Sequence, residues 1–272
     1  MTNKELQDIS LKCRKDILEQ VHSASSGHIG GALSCIDILT TIYCNHLKYD
    51  NKNPKWEDRD RVILSKGHAS PALYAILSER GFFDKELLKT FRKRDSILQG
   101  HPDMKHIPGV DMSSGSLGQG LSVANGMALA GKLDNKEYNI YVILGDGEIE
   151  EGQVWEAAMT SAHYNLNKVI VFIDSNGLQI DGYVKDVMNV ENIEDKFKAF
   201  NWNTIRINGH DFDQINNAII TAKESNDKPT AIIAKTIKGK GISFMENNAK
   251  WHGKAPNLEE YEKAREELGG VM

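Results

Sequence analysis

Residues 139–182, NIYVILGDGEIEEGQVWEAAMTSAHYNLNKVIVFIDSNGLQIDG, constrain this chain more than any other stretch. The run at 139–144 is short, rich in β-branched residues and stopped by Gly145, so it reads as a buried strand. After a tight turn, Val154, Trp155, Ala157, Ala158 and Ala162 stand among good helix formers, which predicts a helix starting near Glu150 or Glu151 and running to about Asn165. A second buried strand at 168–173 then ends in Asp174-Ser175-Asn176-Gly177, a cluster of turn formers. Together these make one β-α-β unit whose polar residues sit at the carboxyl ends of two strands, the place where open parallel sheets bind ligands. Asp146 lies at the first end and Asn176 at the second, and Gly145 and Gly147 let the backbone around Asp146 turn sharply and approach a phosphate closely. A carboxylate, a carboxamide oxygen and a nearby backbone carbonyl are hard ligands that suit Mg²⁺ or Ca²⁺ and not zinc.

The remaining chain repeats the alternation. Helical patterns are expected at 3–23, 34–45, 71–80, 85–92, 121–132, 191–200, 211–224 and 258–267, and further strands at 61–65, 203–207 and 229–236. The expected fold is α/β, a doubly wound, mainly parallel sheet of about five or six strands flanked by helices, with residues 1–272 forming a single domain. A glycine-rich turn at 25–31 is expected to be exposed and to present His28, and a second at 113–120 feeds the next helix. The helix at 121–132 is rich in small residues, which fits a tight helix pair and a subunit interface equally well.

Composition excludes some classes. With 33 basic and 38 acidic residues the net charge is −5, which gives no footprint for nucleic acid or an anionic membrane, so any diphosphate must be held by local geometry and a metal. No apolar run reaches the length of a membrane span and the first residues are charged, so a cytoplasmic protein is expected. Cys13, Cys35 and Cys44 lack paired spacing and fit free thiols. His28, His68, His101 and His252 all fall in glycine-rich turns near the predicted sheet edge, where imidazole can donate to phosphate oxygens or pass protons.

The motifs SSGHIGG, SKGHASPALYA, GHPD, SSGSLGQG, GDGEIEEGQVWEA, DSNGLQIDG, KTIKGKGISFMEN and WHG, in this order, resemble the amino-terminal, diphosphate-binding domain of transketolase over nearly the whole chain. The stretch from Gly-Asp-Gly to the Asn of DSNG, with roughly thirty residues between them, is similar to the thiamine diphosphate signature. The resemblance implies that thiamine diphosphate and Mg²⁺, with Ca²⁺ or Mn²⁺ as substitutes, are the cofactors. It implies that Asp146, Asn176 and the Leu178 carbonyl bind the metal, that His68 and the Gly147 N–H contact the diphosphate, and that Gly115 and Leu117 line the cofactor. His28 and His101 would face the substrate, His252 would serve both the diphosphate and the substrate mouth, and Glu151, with Glu156, would act near the subunit contact. Glu148 and Glu150 read instead as acids favouring a helix start. The first motif has Ile29 where larger family members commonly have Pro, which touches only the rigidity of that loop.

The family's pyrimidine-binding and carboxyl-terminal domains find no counterpart in this sequence and are expected on a partner chain. The resemblance therefore implies the amino-terminal subunit of a split transketolase, a homodimer core within an α2β2 heterotetramer, moving a two-carbon ketol unit from a ketose to an aldose. The alternatives are a deoxyxylulose-phosphate synthase fragment, the α subunit of a 2-oxoacid dehydrogenase, and a non-catalytic diphosphate-binding or regulatory subunit. The weakest reading is a nicotinamide dehydrogenase, since no GxGxxG follows the first strand.

Overall fold

The computed structural model describes residues 1–269. Its strands are β1 (Arg61–Leu64), β2 (Ile140–Gly145) and β3 (Val169–Ser175), a short hairpin of β4 (Leu178–Gln179) and β5 (Gly182–Tyr183), then β6 (Asn203–Asn208) and β7 (Thr230–Lys235). Five of them form the expected sheet, in the order β1-β2-β3-β7-β6 with every neighbour parallel. The helices are α1 (Asn3–Ser23), α2 (Ile29–Thr41), α3 (Ser70–Glu79), α4 (Gln119–Leu133), α5 (Gly152–His163), α6 (Val184–Val187), α7 (Ile193–Ala199), α8 (Phe212–Lys223) and α9 (Leu258–Glu267).

Strand residues alternate between two cores, as a pleated chain buried on both faces must. Tyr141, Ile143, Ile170 and Phe172 pack with α1, α2, α3 and α8, whereas Val142, Leu144, Val171 and Ile173 pack with α4, α5 and α7. Each such side chain, taken fully out of water, contributes about 2 kcal/mol. The chain steps from β1 to β2 to β3, jumps to the edge strand β6, and returns inward to β7. That reversal puts the carboxyl ends of β3 and β7 side by side in register, with Ser175 opposite Lys235, and Gly145 opposite Asp174 one strand over.

Two local expectations are corrected. The helix placed at 34–45 starts at Ile29, so Gly30 and Gly31 are helical, and Ser34, expected at the start, lies inside. A Cβ on Gly30 would stand 2.8 Å from the Trp251 carbonyl, so close packing and not a turn requires that glycine, whereas one on Gly31 would meet His68 Nε2 at an ordinary 3.5 Å. His28 therefore stands immediately before α2, without a side-chain capping bond, and is half-buried, not exposed. The segment placed as a helix at 85–92 is a short 3₁₀ turn, Lys85–Thr90, capped by Asp84.

Candidate functional site

A cavity of about 280 Å³ opens beyond the carboxyl ends of β1, β2, β3 and β7. His28, His68, Gly115, Leu117, Asp146, Gly147, Asn176, Leu178 and His252 all line it, so every site position singled out in the sequence meets there except His101, Glu151 and Glu156. His101 is exposed and lies at the rim, its ring 3.1 Å from where a Gly115 Cβ would be. Glu151 is exposed at the start of α5 and makes no capping bond, and Glu156 is exposed one turn further on. Within this chain neither carboxylate reaches the cavity.

Asp146 joins the two strand tips. It is 4 % exposed, and its carboxylate accepts the Gly147 N–H at 3.0 Å and the Gly177 N–H at 2.5 Å. Burial, helped by neighbouring Asp174, pushes its carboxyl up to about 6. Asn176 accepts the Leu178 N–H at 3.1 Å through Oδ1 and turns its amide nitrogen to Asp174, 3.4 Å away. Asp174 is fully buried and also accepts from Ser34 Oγ at 2.5 Å, from Thr236 and from Lys66. Burial opposes the charge on each member of the Lys66–Asp174 pair, but their mutual attraction outweighs it, raising the lysine and lowering the aspartate.

Three imidazoles form a triangle at the mouth, with ring centroids 5.2 Å apart for His28–His68, 5.4 Å for His28–His252 and 5.2 Å for His68–His252. Burial pushes His28 down to about 4 and His252 to about 3, and pushes His68 well below the ordinary histidine value, with Arg92, Lys238 and Lys66 respectively as the next cause. At neutral pH all three are uncharged, each offering one N–H donor and one acceptor. His28 Nδ1 is buried and has no hydrogen-bond partner among the described residues.

Sequence reasoning missed the role of four residues here. Lys66 and Lys238 line the cavity from within SKGHA and KTIKGKG, motifs whose lysines carried no assignment. Lys238 Nζ donates to the Leu178 carbonyl at 3.0 Å and to His252 Nδ1 at 2.7 Å, and burial beside Lys66 lowers its ammonium to about 8. Gln179 lies against Gly147, with its Cβ 3.1 Å from where a Gly147 Cβ would be, and donates to Glu150 at 2.8 Å. Glu148, read above as a helix-start acid, is buried and accepts from Ser65 Oγ at 2.5 Å and from the Gly118 and Gly145 N–H groups at 3.0 Å. It ties the ends of β1 and β2 to the loop before α4.

The residues fit a divalent ion and a diphosphate. Asp146, Asn176 and the Leu178 carbonyl offer only oxygen, and among the described residues no three His, Cys, Asp or Glu are grouped to hold a metal, so amide and carbonyl oxygens would have to complete the shell. Lys238, His68 and His252 supply the donors an anion needs, and the unpartnered His28 nitrogen is an atom that a bound ligand can satisfy.

Comparison with known proteins gives a consistent picture. Residues 7–271 match the family described as transketolase, thiamine diphosphate binding domain. The chain is 44 % identical to the 6-deoxy-6-sulfo-D-fructose transketolase subunit SqwG of Clostridium sp. (strain MSTE9) over 264 residues, covering 97 % of this chain and 96 % of that one. It is 43 % identical to an apulose-4-phosphate transketolase subunit of Phocaeicola vulgatus, covering 97 % and 93 %. The crystal structure of transketolase from Campylobacter jejuni superposes with a TM-score of 0.93 at 38 % identity, covering 99 % of this chain but 43 % of that one.

Proposed function

The chain belongs to the transketolase family, as a thiamine diphosphate-binding half of that transferase, and on this premise we propose that it works with a second polypeptide carrying the pyrimidine-binding and carboxyl-terminal domains. The pair transfers a two-carbon ketol unit from a ketose to an aldose. Residues 1–272 act as one diphosphate-binding domain, paired with its copy inside an α2β2 assembly in the cytoplasm. The reading rests above all on one observation: Asp146 and Asn176, thirty positions apart in sequence, share one buried cavity with three neutral histidines.

Asp146, Asn176 and the Leu178 carbonyl would hold Mg²⁺, with Ca²⁺ or Mn²⁺ as substitutes, and His68, His252, Lys238 and the Gly147 N–H would hold the diphosphate. Gly115 and Leu117 would line the remainder of the cofactor. When bound, thiamine diphosphate supplies a carbon nucleophile and an electron sink for the transferred unit. The chain's own part is to anchor, to orient and to carry protons. His28, neutral and with Nδ1 unpartnered, exchanges a proton with a sugar oxygen at the mouth, and His101 does so from the rim. His252 accepts Lys238 at Nδ1, which leaves Nε2 for the ligand. Glu151 stands outside the cavity on α5, where it meets the partner and acts on the cofactor through that contact.

The test is reconstitution. The chain and its partner polypeptide are assayed separately and mixed, with thiamine diphosphate and Mg²⁺, on a panel containing xylulose 5-phosphate, 6-deoxy-6-sulfofructose and apulose 4-phosphate with aldose acceptors. Ketol transfer that appears only on mixing is the expected result. Cofactor binding without turnover of any donor would point instead to a non-catalytic role.

A further inference from the structure

Outside the cavity, one buried charge network has no part in the chemistry described so far. Asp37, in the middle of α2, is 4 % exposed. Its carboxylate accepts from both Arg14 terminal nitrogens, at 2.8 and 2.7 Å, from Ser10 Oγ, and from His210 Nδ1 at 2.7 Å. His210 comes from the loop between β6 and α8 and uses its other nitrogen, Nε2, to accept the Ile237 N–H at 2.9 Å. That bond fixes the tautomer: the proton lies on Nδ1, facing Asp37. Arg14 reaches the same loop on its far side, donating from Nε to the Lys240 carbonyl at 3.1 Å. The network thus ends on the backbone at residues 237 and 240, either side of Lys238. Between those points the Gly239 N–H donates to the Gly30 carbonyl at 3.0 Å, so α2 holds the loop directly through Gly30 and, through Asp37, by way of His210 and Arg14.

We propose that His210 is a positioning residue: braced by Asp37 and Arg14, it fixes the Ile237 amide and so sets where the Lys238 ammonium stands between the Leu178 carbonyl and His252. Apolar packing could hold a loop against a helix as firmly; a buried network of charges adds a fixed register, since only one placement satisfies every donor. Lys238 needs such register. Its amine reaches the cavity on a long flexible stem, so its place depends on where its own backbone is pinned. The inference rests on the reading of the cavity as a diphosphate site.

Two conservative variants separate positioning from mere support. In His210→Asn the amide can occupy the Nδ1 position and keep donating to Asp37, but it is too short to accept from Ile237. In His210→Gln the amide oxygen can occupy the Nε2 position and keep the Ile237 bond, while the Asp37 contact is lost. Wild type and both variants, each mixed with the partner polypeptide in Mg²⁺, are titrated with thiamine diphosphate, and melting temperatures are measured without cofactor. The expected result is affinity weakened roughly tenfold in His210→Asn, as loss of one buried hydrogen bond would give, with kcat at saturating cofactor nearly unchanged. His210→Gln should stay within about twofold of wild type, a small part of one hydrogen bond. Wild-type affinity in His210→Asn overturns the positioning role, and so does an equal loss in both variants that tracks their melting temperatures. Absence of thiamine diphosphate binding by the wild-type pair would instead overturn the reading of the cavity, and this inference with it.

Discussion

Asp146 is the residue on which the chemistry and the stability of this chain pull in opposite directions. Its carboxyl is buried beside Asp174 and pushed up to about 6, so its charge costs the fold something that the Gly147 and Gly177 N–H groups and Lys238 return only in part. Asp146→Ala should abolish Mg²⁺-dependent retention of thiamine diphosphate, read by calorimetry, while far-ultraviolet circular dichroism stays native. Asp146→Asn should lose the same retention yet melt no lower than wild type without cofactor; a marked drop in melting temperature would show that the carboxylate is a structural strut. The histidine triangle gives a pH dependence of definite sign. His28 and His252 sit near 4 and 3 when folded, below the ordinary value of 6.5, so the unfolded chain binds protons first as pH falls. Their stabilising contribution is complete above about pH 6.5 and is lost as pH drops toward 4 and 3. Asp146, raised from 3.8 to about 6, and Glu148, also raised by burial, work the other way, but in the cavity they are two groups against three. The cofactor-free protein should therefore lose melting temperature steadily below pH 6.5, and His252→Asn should flatten that slope.

At the scale of elements, the loops at the strand ends are held by a few side chains whose partners are far off in sequence. Glu148 receives bonds from residues 83 and 30 positions away as well as 3. Glu148→Ala should cost about 2–4 kcal/mol in denaturant unfolding, leaving two buried donors and one part-buried donor unmatched, whereas Glu148→Gln should cost less. Gly30→Ala drives a methyl against the Trp251 carbonyl and within 3.1 Å of Lys238 Cγ, and should cost about 1–3 kcal/mol and weaken the cofactor site together. The strands were readable in the sequence because runs such as VIVFI, buried on both faces, leave an unbroken apolar signature that a turn then ends. The start of α2 was not, because Gly30 and Gly31 look like a turn until Trp251, more than two hundred positions away, is seen pressed against Gly30. The β4–β5 hairpin, two residues to a strand, is too short to show any period. At the site, Asp146 and Asn176 were readable as the polar ends of consecutive strands. Lys66 and Glu148 were not, since their partners Asp174 and Ser65 are 108 and 83 positions off and only the sheet order brings them together.

At the scale of the whole molecule, the chain spans 43 % of the C. jejuni transketolase, so that structure's remaining length corresponds to residues this chain does not cover. The small residues of α4 answer their question in two parts. Ala124 and Ala128 are buried against the sheet and α5, and Gly131 lies against Tyr138, as a tight pairing requires. Gly126, by contrast, is exposed, with nothing within 4 Å of where a Cβ would stand, and it lies near exposed Val123. Gly126→Ala should stabilise the isolated chain by about 0.5–1 kcal/mol through helix propensity, and should hinder assembly with the second polypeptide, measured by sedimentation; unhindered assembly would remove that face from the interface. The Lys238 ammonium, resting on the Leu178 carbonyl, has one more consequence. Lys66 and Lys238 balance Asp146 and Asp174 before anything enters, while Glu148 is held by Ser65 and two backbone N–H groups. A bare divalent ion would have to evict a resident cation and leave the balance positive, whereas the ion and its pyrophosphate arriving together bring their own compensation. Loading is thus cooperative by electroneutrality: Mg²⁺ alone should give no calorimetric signal, and each ligand should bind only in the other's company.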